Sequence, residues 1–468
     1  MGLDESAIAT AKNYRQQAAA LLLYQSVFTS DISQALLSLL DAISTANQTA
    51  CLLAYGQWFS ALATQQQNWQ QHLADQIVTA DNAFAQQAQT LPQRFSTDTK
   101  GTDAQITDTQ IAKHISPSLL AAAKYDLTIL YSFYQLSADQ LSQWVAKVCD
   151  RPAPPVIQPF SLPPYPLPFF TTADWTNATA EIAIYYRTHG VGIFGQFTAF
   201  RWQLASSTSN GGNSIQSGNS TLNSNTNGQL VGISYPDPIQ LDQLIAYDHP
   251  KQQLIQNTEF LLQGYTAQNV LLYGARGAGK SSLVKALLNE YHAQGLRLIE
   301  VPKACLKDLP QIVGPLSRVP QKFVIFVDDL SFEDDDEAFK ALKVVLEGGI
   351  TARPQNVVVY ATSNRRHLIR EFFDERPSPK DADEIQAWDT VQEKLSFSDR
   401  FGLTLTFTPA DQPTYLTIVR QLAAQAGLSL EPENLEWRAR QWATRHNGRS
   451  GRSARQFVDF LIAEQGDR

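Results

Sequence analysis

The sequence predicts an α/β fold with a mostly parallel sheet and a phosphate-binding loop, preceded by a mainly α-helical domain. Three observations predict it. Residues 274–281 form a Gly-rich loop between an apolar run and a helix-compatible run, and from about residue 233 onward apolar runs alternate with helical ones. Residues 5–92 are rich in Ala, Gln and Leu, with apolar positions at three- and four-residue spacing. Alternating strands and helices indicate a parallel sheet covered on both faces, whereas the three- and four-residue spacing indicates helices.

The loop reads GARGAGKS and fits the pattern G-x-x-x-x-G-K-[ST]. Its backbone N–H groups can close around phosphate oxygens, and the following helix adds the positive end of its dipole. We therefore predict that it binds ATP, with Lys280 against the β- and γ-phosphates and the Ser281 hydroxyl on Mg²⁺. A chance Gly-rich turn is disfavoured because strand, loop and helix occur together. The predicted nucleotide-binding residues are Gly274, Ala275, Arg276, Gly277, Ala278, Gly279, Lys280, Ser281 and Ser282.

The remaining elements follow from the apolar pattern. The predicted strands are 269–273, 296–301, 323–327, 357–361 and Leu403–Phe407. Helical patterns at 415–426, 435–444 and 453–464 predict a small helical lid. Because the strands are almost wholly apolar, both faces of the sheet should be buried, with the site at the carboxyl ends of the strands.

These patterns divide the chain into five predicted segments. They are a helical recruitment domain (1–150), a Pro-rich strap with a short β-prone stretch (151–205), a flexible Ser/Asn/Gly linker (206–232), an α/β core (233–410) and a helical lid (411–468). The β-prone runs lie within 180–204 and are broken by glycines. Nothing in the first segment resembles a catalytic constellation, so we interpret its apolar residues as core.

Composition restricts the class of protein. Hydrophobic residues (43%) far outnumber charged ones (18%), which favours a globular chain over a disordered one. The net charge of −8 argues against a surface built throughout for polyanions. The three cysteines, Cys51, Cys149 and Cys305, form no C-x-x-C pair and suggest neither a disulfide framework nor a zinc site. Without a signal-like N-terminus or an apolar run of about 18 residues, we expect a cytoplasmic protein with no membrane span.

Acidic and amide side chains stand at the ends of two predicted strands. Asp328 and Asp329 follow the apolar run 323–327, and we assign Asp328 to the metal and Asp329 to polarising the attacking water. Asn364 follows the next strand and can hold the water or the γ-phosphate, although asparagine also ends many strands as a turn former. The acidic run 333–337 has the composition of a solvated helix start.

Two arginine positions complete the candidate catalytic set. Arg400, just before the last strand, is a candidate arginine finger that reaches the nucleotide of a neighbouring subunit, where it neutralises charge developing in phosphoryl transfer. Arg455, with Arg452 as second choice, opens the last helix and is a candidate sensor of the γ-phosphate. Considered alone, Arg400 would be a surface ion-pairing residue and Arg455 would lie on a solvent-facing helix.

The order of these motifs resembles that of the AAA+ ATPases over about residues 233–468. More closely, the stretches LLYGARGAGKSSLVKALLNEY, FVDDLSFE, ALKVVLEGGI, YATSNRRHLI and SDRFGL resemble the family known as domain of unknown function 815. The resemblance implies an AAA+ core with a C-terminal helical lid, and a hexameric or other homo-oligomeric ring whose sites lie between subunits. Asp329 departs from the broader superfamily, in which glutamate is usual; Glu333 is a candidate substitute.

Three functional hypotheses follow. The leading one is an ATP-hydrolysing protein that remodels a protein client, which the helical domain selects. The alternative is a nucleic-acid-dependent ATPase or loader, favoured by basic residues after Asn364 and in the lid. Those residues are Arg365, Arg366, His367, Arg438, Arg440, Arg445, Arg449 and Arg452. The third is a slow nucleotide-dependent switch, suggested by the short side chain of Asp329. A metabolite kinase is less favoured because no acceptor-binding motif is evident.

Overall fold

The chain divides into two units, one ending at Gln196 and the other beginning at Phe197. The structure is a computed structural model. It describes residues 5–92, 108–157, 167–172, 174–204, 228–330, 337–347, 354–364, 400–428, 430–446 and 448–466. Among these residues, no helix is both long and apolar enough to cross a membrane.

The first unit is helical, as its apolar spacing predicts. Its helices are α1 (Glu5–Ala20), α2 (Asp31–Ser44), α3 (Gln48–Gln65), α4 (Trp69–Val78), α5 (Ala83–Ala88), α6 (Asp108–Ile111), α7 (Pro117–Gln135), α8 (Ala138–Cys149), α9 (Thr179–His189) and α10 (Ile193–Gln196). Several begin at a Ser or Asn whose side chain accepts a hydrogen bond from the first turn, as Ser30 and Asn68 do. They enclose one core whose fully buried aromatic residues include Trp58, Trp69 and Phe133.

The short β-prone runs predicted within 180–204 form a strand only at the end of that stretch. Residues Thr179–His189 and Ile193–Gln196 are helical, and only Ala199–Leu204 is a strand. Ile182, Ala183 and Tyr186 are all buried in the helical core at spacings that one helix face provides. Packing against that core therefore overrides the β propensity of the aromatic and β-branched residues. Residues 158–166 of the Pro-rich strap lie outside the described residues.

The second unit contains one sheet with the strand order β2-β1-β4-β5-β6-β3-β7. The strands are β1 (Ala199–Leu204), β2 (Gly228–Gly232), β3 (Val270–Gly274), β4 (Leu296–Glu300), β5 (Lys322–Val327), β6 (Val357–Ser363) and β7 (Leu403–Phe407). All neighbouring strands pair in parallel except β1 and β2, which form an antiparallel pair. The five predicted strands and their mostly parallel arrangement are thus confirmed.

The strand pair β1–β2 corrects the expected start of the α/β core near residue 233. Both strands precede that position, yet β1 extends the sheet alongside β4. Trp202 is buried on β1 and its indole N–H donates to Asp308 at 2.9 Å. A Cβ atom on Gly228 would lie 2.5 Å from the Trp202 ring, so this cross-strand contact requires glycine. Of the predicted linker 206–232, residues 206–227 lie outside the described part of the chain.

Helices flank the strands and complete the unit. They are α11 (Asp248–Gln263), α12 (Lys280–Tyr291), α13 (Leu309–Leu316), α14 (Glu337–Glu347), α15 (Gln412–Gln425), α16 (Pro432–Arg445) and α17 (Gly451–Gly466). The last three confirm the predicted helical lid. They share a small core of their own that includes Tyr415, Ala439 and Phe457.

Candidate nucleotide-binding site

The Gly-rich loop connects β3 to α12 at the carboxyl edge of the sheet. Gly274 has a φ of 134°, and a Cβ atom there would lie 2.0 Å from the carbonyl oxygen of Phe407 on the neighbouring strand. The same carbonyl accepts a hydrogen bond from Ala275 N at 2.9 Å. Only glycine fits this position, because any side chain would displace the loop from β7. Gly279, with a φ of 86°, immediately precedes the first residue of α12.

Lys280 is buried at the base of this loop, with 6% of its surface exposed. Its ammonium group donates to the carbonyl oxygens of Gly274 at 2.9 Å and Ala275 at 2.8 Å, and to Asn364 Oδ1 at 3.3 Å. Burial lowers the pKa of Lys280 from its usual value, and the carboxylates of Asp328 and Asp329 oppose that shift. The loop thus holds the Lys280 ammonium group against two neutral carbonyl oxygens, which do not neutralise its positive charge.

Asp328 and Ser281 bring hard oxygen atoms together beside the loop. The Ser281 hydroxyl donates to Asp328 Oδ1 at 2.6 Å. A serine hydroxyl and a carboxylate are the oxygen ligands and water-binding groups that Mg²⁺ uses in nucleotide sites, so these residues fit the ion. In the described part of the chain, no cluster of three or more His, Cys, Asp or Glu side chains forms a separate metal cage. The arrangement therefore suits an ion that arrives with phosphate oxygens.

Asp329 and Asn364 meet across the ends of β5 and β6. Asn364 Nδ2 donates to Asp329 Oδ1 at 2.7 Å, while Asn364 Oδ1 accepts from Lys280. The Asn364 amide therefore links the loop cation to the second acid. Asp329 has a φ of 51°, in the left-handed region that aspartate tolerates better than most residues. This conformation gives one physical reason for aspartate where the resemblance leads us to expect glutamate.

Thr362 is a site residue that the sequence reasoning missed. Its hydroxyl donates to Asp328 Oδ1 at 2.5 Å and accepts from Asp329 N at 3.0 Å, and its carbonyl accepts from Leu330 N at 2.7 Å. It stands near the end of the apolar strand VVVYATS with 2% of its surface exposed. The sequence signal that could have identified it is a hydroxyl side chain within an otherwise apolar strand, two positions before Asn364.

The lid contacts the loop through the start of α17. Arg452 N donates to the Gly277 carbonyl at 3.2 Å, and a Cβ atom on Gly277 would lie 2.9 Å from Ser450 Oγ. The positive charge of Arg452 is also one of the influences that lower the pKa of Lys280, after burial. Arg455 is exposed one helical turn further along α17. Of our two candidate lid arginines, the second choice is therefore the one next to the loop.

Arg400 lies away from the loop of its own subunit. The register pairs Val270 with Leu403 at one end of β3 and β7, and Gly274 with Phe407 at the other. Leu403 is therefore about 13 Å along the strand direction from the level of Gly274, and Arg400 lies just before β7 at that far end of the sheet. In its own chain, Arg400 therefore lies at the end of the sheet away from the Gly-rich loop.

Of the other candidate residues, four lie outside the described part of the chain and two form ion pairs within the lid. Glu333, Arg365, Arg366 and His367 lie outside the described residues. Two lid arginines of the nucleic-acid hypothesis bind carboxylates within the lid: Arg438 contacts Glu464 at 2.7 Å and Arg440 contacts Glu436 at 2.8 Å.

The parallel sheet, the loop at the carboxyl end of β3 and the C-terminal helical lid define an α/β P-loop nucleotide-binding fold of the AAA+ type. The family model described as protein of unknown function (DUF815) matches residues 218–465. The chain belongs to that family. No curated protein sequence matches it.

Several solved structures are similar to about half of the chain at low identity. A mutant of RuvB from Thermotoga maritima is 16% identical, with a TM-score of 0.35, covering 49% of this chain and 68% of that one. The T. maritima RuvB Holliday junction branch migration motor is 15% identical, with a TM-score of 0.31, covering 48% and 72%. The replication initiator DnaA bound to AMPPCP and single-stranded DNA is 16% identical, with a TM-score of 0.33, covering 48% and 64%.

Proposed function

We propose that this protein binds and hydrolyses ATP and uses the energy to remodel a protein client in the cytoplasm. One observation carries the ATPase proposal: a single hydrogen-bonded group at the phosphate loop joins residues from three separate segments, namely Lys280, Asp328, Asp329 and Asn364. No fold requirement brings a buried lysine, two acids and an amide together at this edge. Groups of these kinds bind the phosphates, support Mg²⁺ and position the attacking water in phosphoryl transfer from a nucleotide.

Each residue then has a distinct role. The backbone amides of the loop and the Lys280 ammonium hold the β- and γ-phosphates, in place of the carbonyl contacts that Lys280 makes in the structure. Ser281 and Asp328 would hold Mg²⁺, which offsets negative charge on the phosphates when it is bound. Asp329 accepts the proton of the attacking water, and Asn364 orients Asp329 through the 2.7 Å hydrogen bond.

The test compares binding with turnover. Calorimetry should detect binding of magnesium-ATP, and phosphate release should give a steady rate in the wild type. Asp329→Asn should keep the affinity within about threefold and lower the rate by at least about a hundredfold, because it removes only the base. Absence of magnesium-ATP binding by the wild type contradicts the proposal. Binding without measurable turnover would instead support the slow switch.

We propose further that the active form is a homo-oligomeric ring in which Arg400 serves the neighbouring subunit. The position of Arg400 at the edge of the sheet opposite its own loop supports this arrangement. Arg400→Ala should lose turnover and keep ATP binding, whereas Lys280→Ala should lose both.

A mixing experiment distinguishes action between subunits from action within one. Assembled from equal amounts of Arg400→Ala and Lys280→Ala chains, an oligomer contains some sites with an intact Lys280 and a neighbour's intact Arg400. Such mixtures should regain activity that neither variant has alone. If they remain inactive although mixed oligomers form, Arg400 does not act across a boundary.

The helical unit is proposed to select the client. It exposes large apolar side chains, among them Leu53 at 65%, Leu22 at 60% and Tyr125 at 49%. Asp329→Asn held in ATP should retain the client during purification, and the same variant in ADP should release it. DNA or RNA supplied to the wild type tests the alternative. If DNA or RNA stimulates ATP hydrolysis, and if its binding weakens steeply as the salt concentration is raised, the client is a nucleic acid and not a protein.

A further inference from the structure

We propose that Thr362 is a positioning residue that sets both acids of the nucleotide site through its one hydroxyl group. This inference rests on the proposed ATP-dependent function and adds a residue to it. The hydroxyl donates to Asp328 Oδ1 at 2.5 Å and accepts from the backbone N–H of Asp329 at 3.0 Å. One side chain of β6 thereby fixes two consecutive residues at the end of β5.

The register of the sheet makes this contact. Val327 pairs with Ala361, so the next residue of each strand, Asp328 and Thr362, lie side by side beyond the last pair. The backbone continues the link, because Leu330 N donates to the Thr362 carbonyl at 2.7 Å. Asp329 is thus held from both sides in its left-handed conformation, which has a φ of 51°. That conformation is intrinsically unfavourable for residues other than glycine, so surrounding contacts must maintain it.

The contact also directs the Asp328 carboxylate. Oδ1 accepts from Thr362 Oγ1, from Ser281 Oγ at 2.6 Å and from Asp329 N at 3.2 Å. All three bonds go to one oxygen, and Oδ2 takes part in none of them. The carboxylate is therefore oriented by its Oδ1, and Oδ2 is the atom suited to water of a magnesium-bound nucleotide. Neighbours that orient a metal-binding carboxylate typically change metal affinity or activity by about 10- to 100-fold.

A purely structural role would require only that the buried hydroxyl be satisfied. Any one acceptor would achieve that, and in a strand interior a threonine hydroxyl can bond to nearby backbone. Here the Thr362 hydroxyl donates to the carboxylate of Asp328, the candidate metal-binding residue. It accepts from the backbone N–H of Asp329, the candidate base. The hydroxyl therefore joins two residues with different roles, so its removal should disturb metal dependence and turnover together.

Two substitutions separate the hydroxyl from the shape of the side chain. Thr362→Val keeps the branched shape and removes the hydroxyl, whereas Thr362→Ser keeps the hydroxyl and removes a methyl group. We would measure binding of the β,γ-methylene analogue of ATP by calorimetry over a range of Mg²⁺ concentrations and in EDTA. Steady-state ATP hydrolysis and the thermal unfolding midpoint would be measured in parallel.

For Thr362→Val we expect the Mg²⁺ concentration at half-maximal effect to rise at least about tenfold and kcat to fall at least about tenfold. Binding of the analogue in EDTA should change less than about twofold, because the phosphate loop is untouched. Thr362→Ser should stay within about threefold of the wild type in every measurement. In an Asp328→Asn background, Thr362→Val should have little further effect on the Mg²⁺ dependence of analogue binding, because it acts through Asp328.

Three results would overturn the inference. Thr362→Val could match the wild type in Mg²⁺ dependence, Thr362→Ser could be as impaired as Thr362→Val, or the effects in the Asp328→Asn background could add in full. If Thr362→Val fails to fold, Thr362→Ala takes its place, because it also lacks the hydroxyl, and Thr362→Ser remains the variant that keeps it. Failure of the wild type to bind the analogue at any Mg²⁺ concentration refutes the proposed function itself.

Discussion

Buried polar side chains serve different ends in the two units. In the helical unit, Asp126 is fully buried and its carboxylate accepts from the backbone N–H groups of Leu22, Leu23 and Tyr24 at 2.7–3.1 Å. In the second unit, Lys280 is buried almost as deeply but lies beside the exposed Asp328 and Asp329 at the edge of the sheet. The Asp126 carboxylate is enclosed by backbone N–H groups of the helical unit. Lys280, in contrast, lies beside exposed acids that a ligand can reach.

The comparison teaches how to separate structural polar groups from functional ones. The Asp126 hydrogen bonds join the backbone just after α1 to the middle of α7, so their loss should reduce the free energy of unfolding. Lys280 is desolvated, and burial lowers its pKa, so its removal costs the fold little. Substitutions in the two units should therefore affect different measurements, and each prediction below tests that separation.

The largest effect is expected for Lys280→Ala. It should lower ATP turnover by at least about a hundredfold, or about 3 kcal/mol, because the phosphates lose the cation that opposes their charge. The unfolding midpoint should stay near that of the wild type. Phosphate release and thermal unfolding measure the two quantities.

Lys285→Ala on the same helix is the matched control. Lys285 forms an exposed ion pair with Asp237 at 3.2 Å, so both turnover and stability should remain close to wild type. Equal loss of ATP turnover in the two variants would mean that turnover depends on the integrity of α12 and not on the buried ammonium group of Lys280.

Asp126→Asn should produce the reverse pattern. We expect it to destabilise the helical unit by about 3 kcal/mol, because an amide retains one acceptor oxygen and places a donor against backbone N–H groups. Nucleotide binding should be unchanged. Urea unfolding and calorimetry check the two statements.

Asp41→Asn provides the comparison for this variant, since Asp41 pairs with Arg15 at 2.6 Å on the surface. It should cost less than about 1 kcal/mol. A similar cost for both aspartates would show that enclosure by backbone amides gives Asp126 no special role.

The sequence predicted the strands and the Gly-rich loop of the second unit better than the contacts of the helical unit, because the two depend on different information. The loop at 274–281 and the acids at 328 and 329 lie at strand ends, where a short local pattern fixes both conformation and chemistry. The role of Asp126 depends on contacts with residues more than a hundred positions away. No local pattern could reveal such contacts.

The same distinction explains the individual errors. The segment at Thr179–His189 has β-prone residues, but its conformation follows from packing into the helical core. β1 joins the sheet only by pairing with β4, about a hundred residues away in sequence. Thr362 was missed because its contacts depend on the register between β5 and β6. The spacing of a helix likewise does not show that the turn of Arg452 is the one that contacts the loop.

The pH dependence of stability offers a further contrast within the helical unit. Burial lowers the pKa of His72 from 6.5 to about 4. Between these values the unfolded chain binds a proton that the folded chain does not, so stability should fall as pH decreases from about 6.5 to 4. The expected loss is about 3 kcal/mol, nearly complete below pH 4 and nearly absent above pH 7.

His72→Gln removes this titration, so the difference in unfolding free energy between wild type and variant should depend on pH in that window. Urea unfolding of both proteins at several pH values measures it. A constant difference from pH 7 to pH 4 would mean that His72 titrates normally and that its contacts with Ser30 and Ser33 do not exclude the proton.

The smallest expected effect distinguishes the two lid arginines. Arg452→Ala should lower ATP turnover about tenfold, because it removes a positive charge next to the loop, at the point where Arg452 N donates to Gly277 O at 3.2 Å. Arg455→Ala lies one turn further along α17 and should change turnover less than about threefold. Stability should be nearly unaffected in both, since both side chains are exposed. Steady-state ATP hydrolysis at saturating Mg²⁺ decides between them, and a larger loss for Arg455→Ala would mean that the lid rotates to present its second arginine when nucleotide binds.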